Sequence, residues 1–190
     1  MSWPATAVVT DDPVTATQLN GLPVMIANTT LSDLAASISF SSIPSHYAHL
    51  RVVAYLRSNT VATSTSTLLR FNADSGANYD VQYLQGLGAA TAAAEGFAAT
   101  SASVGPIPAN TAGANLFGVH SMVIPHYANA INNKALVNST GYKFGTAASN
   151  MSASIFAAFW RSNAAITQVT ITPGAGNLVS GSRATLWGWP

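Results

Sequence analysis

Five residues between Phe71 and Tyr83 come closest to a chemical motif. Asn72, Asp74, Gly76, Asn78 and Asp80 place oxygen-bearing side chains at alternate positions around a glycine. That spacing is a partial image of a calcium loop, where carboxylate and carbonyl oxygens surround the ion. A complete loop also closes with a bidentate Glu, and the next acid after Asp80 is Glu95. The second reading is a turn bonded to itself. Asn and Asp side chains bond nearby backbone, and Gly takes φ > 0 without a steric penalty. The self-bonded turn is the favoured reading. It makes Asn72, Asp74, Gly76 and Asn78 structural, expects Gly76 at φ > 0, and calls for no metal and no cofactor.

Histidines and aromatic residues form the other candidate sets. His46 and His49 flank Tyr47 after Pro44, and His126 precedes Tyr127 after Pro125. Imidazoles gathered from several chains at a symmetry axis would make a metal site. No carboxylate lies near them in sequence, so they read as surface or inter-subunit histidines. Trp160, Trp187, Trp189 and Tyr142 are either a stacking platform for a sugar or core and interface anchors, the latter being favoured. No Gly-x-Ser-x-Gly elbow is present. The six acids fall in turns or early in the chain, a poor source of paired glycosidase carboxylates. The chain is read as not an enzyme.

Composition narrows the class. Charged residues are 7% of the chain, against about 25% in ordinary soluble domains. Ser, Thr, Asn, Gly and Ala must therefore coat much of the surface. Interface cores are depleted in charge, so this suits a protein whose flanks are buried by copies of itself or by partners. The seven basic residues are scattered and form no stripe for a phosphate backbone, so nucleic acid is not an expected partner. No apolar run is long enough to span a bilayer as a helix, so no membrane is expected either. Cysteine is absent. The first residues show no basic segment followed by an apolar one and are not read as a signal peptide.

Period-two alternation dominates from Ala36 onward. Leu50, Val52, Ala54 and Leu56 share one face; Ser154, Phe156, Ala158 and Trp160 share another. Leu68 to Leu84 reads as strand, polar turn, strand, a hairpin around which the remaining strands are laid. Ser139-Thr140-Gly141 carries a second hairpin signal. Gly86 to Ala94 reads as a loop before a short helix, and Phe97 to Val104 as a weak strand ended by Pro106 and Pro108. About ten short strands with regularly spaced turns predict an all-β antiparallel sandwich, a jelly roll being the best solution to the edge problem. Residues 1–35 read differently: an N-terminal arm with a short helix at Ala16 to Asn20, capped by Thr15 and Gln18. Leu22 to Ile26 fits an edge strand or an extended arm. Trp3, Leu19, Leu22, Val24, Met25 and Ile26 are its expected anchor residues, and residues 36–190 are expected to form the sandwich.

Three motifs carry a resemblance. They are Ile43-Pro44, Tyr47 and Leu50; then Asn72, Asp74, Gly76, Asn78 and Tyr79; then Gly181, Ser182, Leu186, Trp187 and Gly188. In this order they resemble a family of small β-sandwich domains in tailed-bacteriophage virion proteins, found as head decoration proteins and as fibre tips. The segment VTATQLNGL is similar to a short N-terminal helix of phage appendage proteins. The resemblance covers Ile38 to Trp189 in patches, and Gly86 to Ala102 departs from it. It implies a structural virion protein, a capsid decoration or cement protein bound to the major capsid protein or other virion proteins; together with the low charge content it implies a homotrimer. Its localisation is then the virion, assembled in the host cytoplasm. The alternative is a short head or tail fibre whose loops recognise a host surface glycan.

Overall fold

The computed structural model describes residues 21–147 and 149–190. The helix expected at 16–20, and Trp3 and Leu19 of the expected anchor, lie outside them. The described residues contain twelve strands and no helix: β1 (Val24–Thr30), β2 (Ile38–Phe40), β3 (His49–Leu56), β4 (Ser64–Phe71), β5 (Tyr79–Leu87), β6 (Ala90–Ala99), β7 (Ala102–Pro108), β8 (Gly118–Pro125), β9 (Lys134–Lys143), β10 (Met151–Trp160), β11 (Val169–Pro173) and β12 (Arg183–Trp189).

They form two antiparallel sheets packed as a sandwich. The large sheet has eight strands in the order β1-β12-β3-β8-β9-β10-β5-β6, and the small one has four in the order β2-β11-β4-β7. Alternation decides which side chains face inward. Leu50, Val52, Ala54 and Leu56 of β3 are buried, as are Phe156, Ala158 and Trp160 of β10, matching the faces expected from the sequence. From the small sheet Ile38, Leu69, Phe71, Val169 and Ile171 meet them. Each such large apolar side chain contributes about 2 kcal/mol when withdrawn from water. Gly105, at φ +119°, sits where β7 approaches the large sheet; a Cβ there would lie 2.5 Å from Thr140 Cγ2.

Several expectations are corrected. β4 and β5 do not pair; they belong to different sheets, so the Asn72 to Asn78 turn carries the chain across the sandwich instead of closing a hairpin. Both flanking strands are half-buried, so alternation alone could not show that they serve opposite sheets. Ser139-Thr140-Gly141 is no turn: β9 runs unbroken through it, because all three residues pair with β10 on one side and β8 on the other. The Gly/Ala-rich run is strand, with the turn confined to Gly88 and Ala89. Pro106 and Pro108 lie within β7, tolerated because β7 is an edge. Finally, the sandwich begins before residue 36. β1 pairs with β12 from Val24↔Gly188 to Thr30↔Arg183, so Val24 to Ile26 of the Leu22 to Ile26 segment lie in an edge strand, Leu22 and Pro23 precede it, and the boundary moves towards the N-terminus.

Candidate functional site

The outer face of the large sheet is the strongest candidate for contact with another molecule. It is built from the residues that alternation turns away from the core. Three register rows cross it. One runs Trp187, Arg51, Val123, Val137, Ala157, Gln82, Glu95; the next Thr185, Val53, Ser121, Ser139, Ile155, Leu84, Ala93; the third Arg183, Tyr55, Val119, Gly141, Ala153, Gly86, Thr91. Arg51, Arg183 and Glu95 are the charged residues of these rows, and all three lie towards the ends. Between them the face is uncharged and largely aliphatic, with Ser121, Ser139 and Gln82 interspersed: Leu84 is 64% exposed, Ile155 56% and Val137 51%. Clustered exposed aliphatic side chains with no charge among them mark a contact surface more often than a solvated one.

The face has relief. Gly141, Ala153 and Gly86 are adjacent across β9, β10 and β5. Beside them rise Ile155 and Leu84. The result is a shallow trough of about 550 Å³ between the ridge and the β5–β6 end.

At the other end stands an aromatic shelf. Trp187 and Trp189 alternate outward on β12, opposite Arg51 and His49 of β3. With Pro23 and Val53 they line a depression of about 350 Å³. Arg51 Nη2 donates to Ser121 Oγ at 3.1 Å, while its Nε has no partner. Trp160 and Tyr142, expected as further members of a platform, are buried instead, so the four aromatics are divided between core and surface.

The turn is self-bonded, with one correction. Asp74 accepts from Gly76 N at 2.8 Å, Asn78 Nδ2 at 2.9 Å and Trp160 Nε1 at 2.6 Å. The Trp160 bond, then Asn78, then the Gly76 amide hold its carboxyl below the usual range. Asn72 Oδ1 accepts from Thr167 N at 2.8 Å and Gln168 N at 3.1 Å, and its Nδ2 donates to Ala165 O at 2.8 Å. Gly76 does not take φ > 0; Asn72 (51°) and Ala73 (57°) do. Asp80 is occupied as well, by Ala98 N at 2.9 Å and by Arg161 Nε at 3.5 Å. Both carboxylates therefore face N–H donors. This is the geometry of a structural turn.

His49 and His126 meet edge to face with centroids 4.9 Å apart, and His126 N donates to His49 Nδ1 at 3.3 Å. His46 instead packs against Tyr47, the rings tilted by 42°. Among the described residues no group of three potential ligands could hold a metal. Several basic side chains serve the backbone: Arg57 Nη1 donates to Gly113 O at 2.8 Å and Leu116 O at 3.1 Å, Arg70 to Thr100 O at 3.0 Å, and Lys134 to Asn132 O at 2.7 Å.

One cluster escaped the sequence reading. His120 is fully buried between the sheets. Its Nδ1 accepts from Asn138 Nδ2 at 3.0 Å, which leaves Nε2–H to donate to Thr67 Oγ1 at 3.1 Å. Asn138 Nδ2 also donates to Val104 O. Burial pushes the imidazole down to about 4, partly opposed by the Val104 carbonyl. The signal was present in the period: His120 shares its face with Met122 and Ile124.

The fold and surface thus define a β-sandwich with a nearly uncharged sheet face. No family model, no curated protein and no solved structure matches the chain.

Proposed function

We propose that this chain is a structural protein of a tailed-phage virion, a decoration or cement protein that binds the head surface as an oligomer. The observation that carries the reading is the outer face of the large sheet, uncharged and largely aliphatic across its middle strands. The phage class rests on the resemblance of the three motifs. The strand order supports the jelly-roll part of it. Taken alone, β2, β3, β4, β5, β6, β7, β10 and β11 run first-eighth-third-sixth in the small sheet and second-seventh-fourth-fifth in the large one. That is the interleaved order of two Greek keys. β8 and β9 enter as a hairpin between β3 and β10, and β12 and β1 extend the sheet beyond β3.

The function is to cover and to hold. An apolar face laid over capsomer junctions stabilises the assembled shell by binding it in preference to its parts. Three copies about a capsid axis are the expected unit. Val137→Lys and Ile155→Lys place charge in the middle of the face without touching the core. Co-sedimentation of both variants with capsids lacking this protein tests the proposal: wild type pellets and the variants stay in solution. Equal binding by the variants sinks it.

The aromatic shelf favours a second reading, a fibre tip that binds a host surface glycan. Trp187 and Trp189 offer ring faces to a sugar, and Arg51 and His49 offer hydrogen bonds. Glycan-array binding that disappears in Trp189→Ala, with capsid binding kept, would select this reading over the first.

A further inference from the structure

Among the described residues four strands end the two sheets, and three of them carry a device that blocks further pairing. β2 is three residues long. β7 holds Pro106 and Pro108 and a register shift against β4. β1 follows Pro23 and has a register shift between Met25 and Ala27. Short length, proline and bulges are the usual protections of a sheet edge.

β6 is different. It is ten residues long, contains no proline, and carries one charge, Glu95. Its register shift is confined to the Tyr79 end, so Ala90 to Gly96 run regularly. The strand is alanine-rich and exposed on both faces. Alanine is a poor strand former, and β6 gains little side-chain burial from the described residues. A second pairing strand would make it an interior strand.

We propose that β6 pairs antiparallel with β6 of a second copy of this chain about a two-fold axis. The Gly88-Ala89 turn joins Leu87 and Ala90. In a two-residue hairpin that closing pair is hydrogen-bonded and the pattern then alternates. Thr91, Ala93 and Glu95 therefore turn their N–H and C=O groups to the free edge. Such a row is complementary to itself when reversed. Centred on Ala93, it sets Glu95 opposite Thr91 of the second copy, carboxylate to hydroxyl. Centred on Glu95, it would set two carboxylates face to face, which is unfavourable. Charge excludes the Glu95 register, and the Ala93 register is the one centred on the regular run Ala90 to Gly96. This contact is two-fold and independent of any three-fold association on a capsid.

The chain has no cysteine, so single cysteines report the contact. Opposed Cα atoms of a hydrogen-bonded pair lie about 5.5 Å apart, within disulfide reach. Ala93→Cys is expected to oxidise rapidly to a covalent dimer at micromolar concentration. Ala90→Cys is the control: its two copies would sit six residues apart along the strand, about 20 Å. Ala93→Pro removes an N–H that faces the free edge and leaves the β5 ladder; it is expected to weaken self-association by about tenfold or more in sedimentation equilibrium. Wild type that stays at 19.5 kDa through high micromolar concentration overturns the proposal. So does Ala93→Cys cross-linking no faster than Ala90→Cys, a result that stands even if the proline variant fails to fold. Neither measurement uses particles, so failure here and failure of capsid binding remain distinguishable.

Discussion

The indole of Trp160 donates to Asp74 Oδ2 at 2.6 Å, joining the last residue of β10 to a turn 86 residues earlier. Trp160 also packs against Phe71 and Tyr79, the residues that flank the turn. The crossing between sheets is thereby fixed from both sides, by the Trp160 contact and by the Asn72 bonds to Ala165, Thr167 and Gln168. Asp74→Ala strands a largely buried indole N–H and frees two further donors. It is expected to destabilise the fold by about 2 kcal/mol, measured by denaturant unfolding.

Asn72→Ala is expected to cost about as much. It removes an amide that holds three backbone groups, and it places Ala at a positive φ that Asn tolerates better. Gly76→Ala acts by contact, since its Cβ would lie 2.7 Å from Asn78 Nδ2. Re-aiming Asn78 loosens the Asp74 bonds, for about 1 kcal/mol. If Gly76→Ala matched wild type in melting temperature, the turn would be more pliable than its hydrogen bonds indicate.

Calcium is expected to leave the melting temperature unchanged. A cation needs free carboxylate oxygens, and those of Asp74 and Asp80 accept from N–H donors. A rise of many degrees in millimolar calcium would restore the metal-loop reading.

His120 makes stability depend on pH in a stated window. Its folded pKa of about 4 lies below the model-peptide value of 6.5, so the unfolded chain binds the proton first. The stabilisation is complete above about pH 6.5 and declines as pH falls towards 4, by about 3 kcal/mol at most. Asp74 acts in the same direction at lower pH: its depressed pKa gives stability above 3.8 that is lost as pH falls through the folded value. Urea unfolding across this range, repeated on His120→Gln, separates the two. A wild-type profile flat between pH 6.5 and 4.5 would contradict a buried neutral imidazole.

Two truncations locate the working edge of the domain. Deleting Met1 to Asn20 leaves all twelve strands, and circular dichroism and melting temperature should stay close to wild type. The expected arm anchor predicts that capsid attachment is lost with these residues; attachment kept at full occupancy places the contact on the sheet face alone. Deleting Met1 to Ala27 also removes the start of β1, bares Leu186 and Trp187 of β12, and should lower the melting temperature by several degrees. Equal melting of the two truncations would show that β1 adds nothing to the sheet.

Alternation along one strand is a local property, because successive side chains point to opposite faces. The sequence alone therefore determined the all-β class, the inward faces of β3 and β10, and the bonding chemistry of Asn72 and Asp74. Which strands become neighbours is not local. Ser139-Thr140-Gly141 has turn residues, yet β8 and β10 on either side satisfy its backbone and hold it extended. Gly76 looked like the residue with positive φ, but Trp160 and the 165–168 segment draw Asp74 and Asn72 into place and shift the strain to Asn72 and Ala73. His120 became a buried, neutral, doubly bonded group only once β4 brought Thr67, and β9 brought Asn138, against it. The bare edge of β6 has the same origin. Its alanines are unremarkable in sequence; that nothing in the described residues pairs beyond them follows from where β10 and β5 place the end of the sheet.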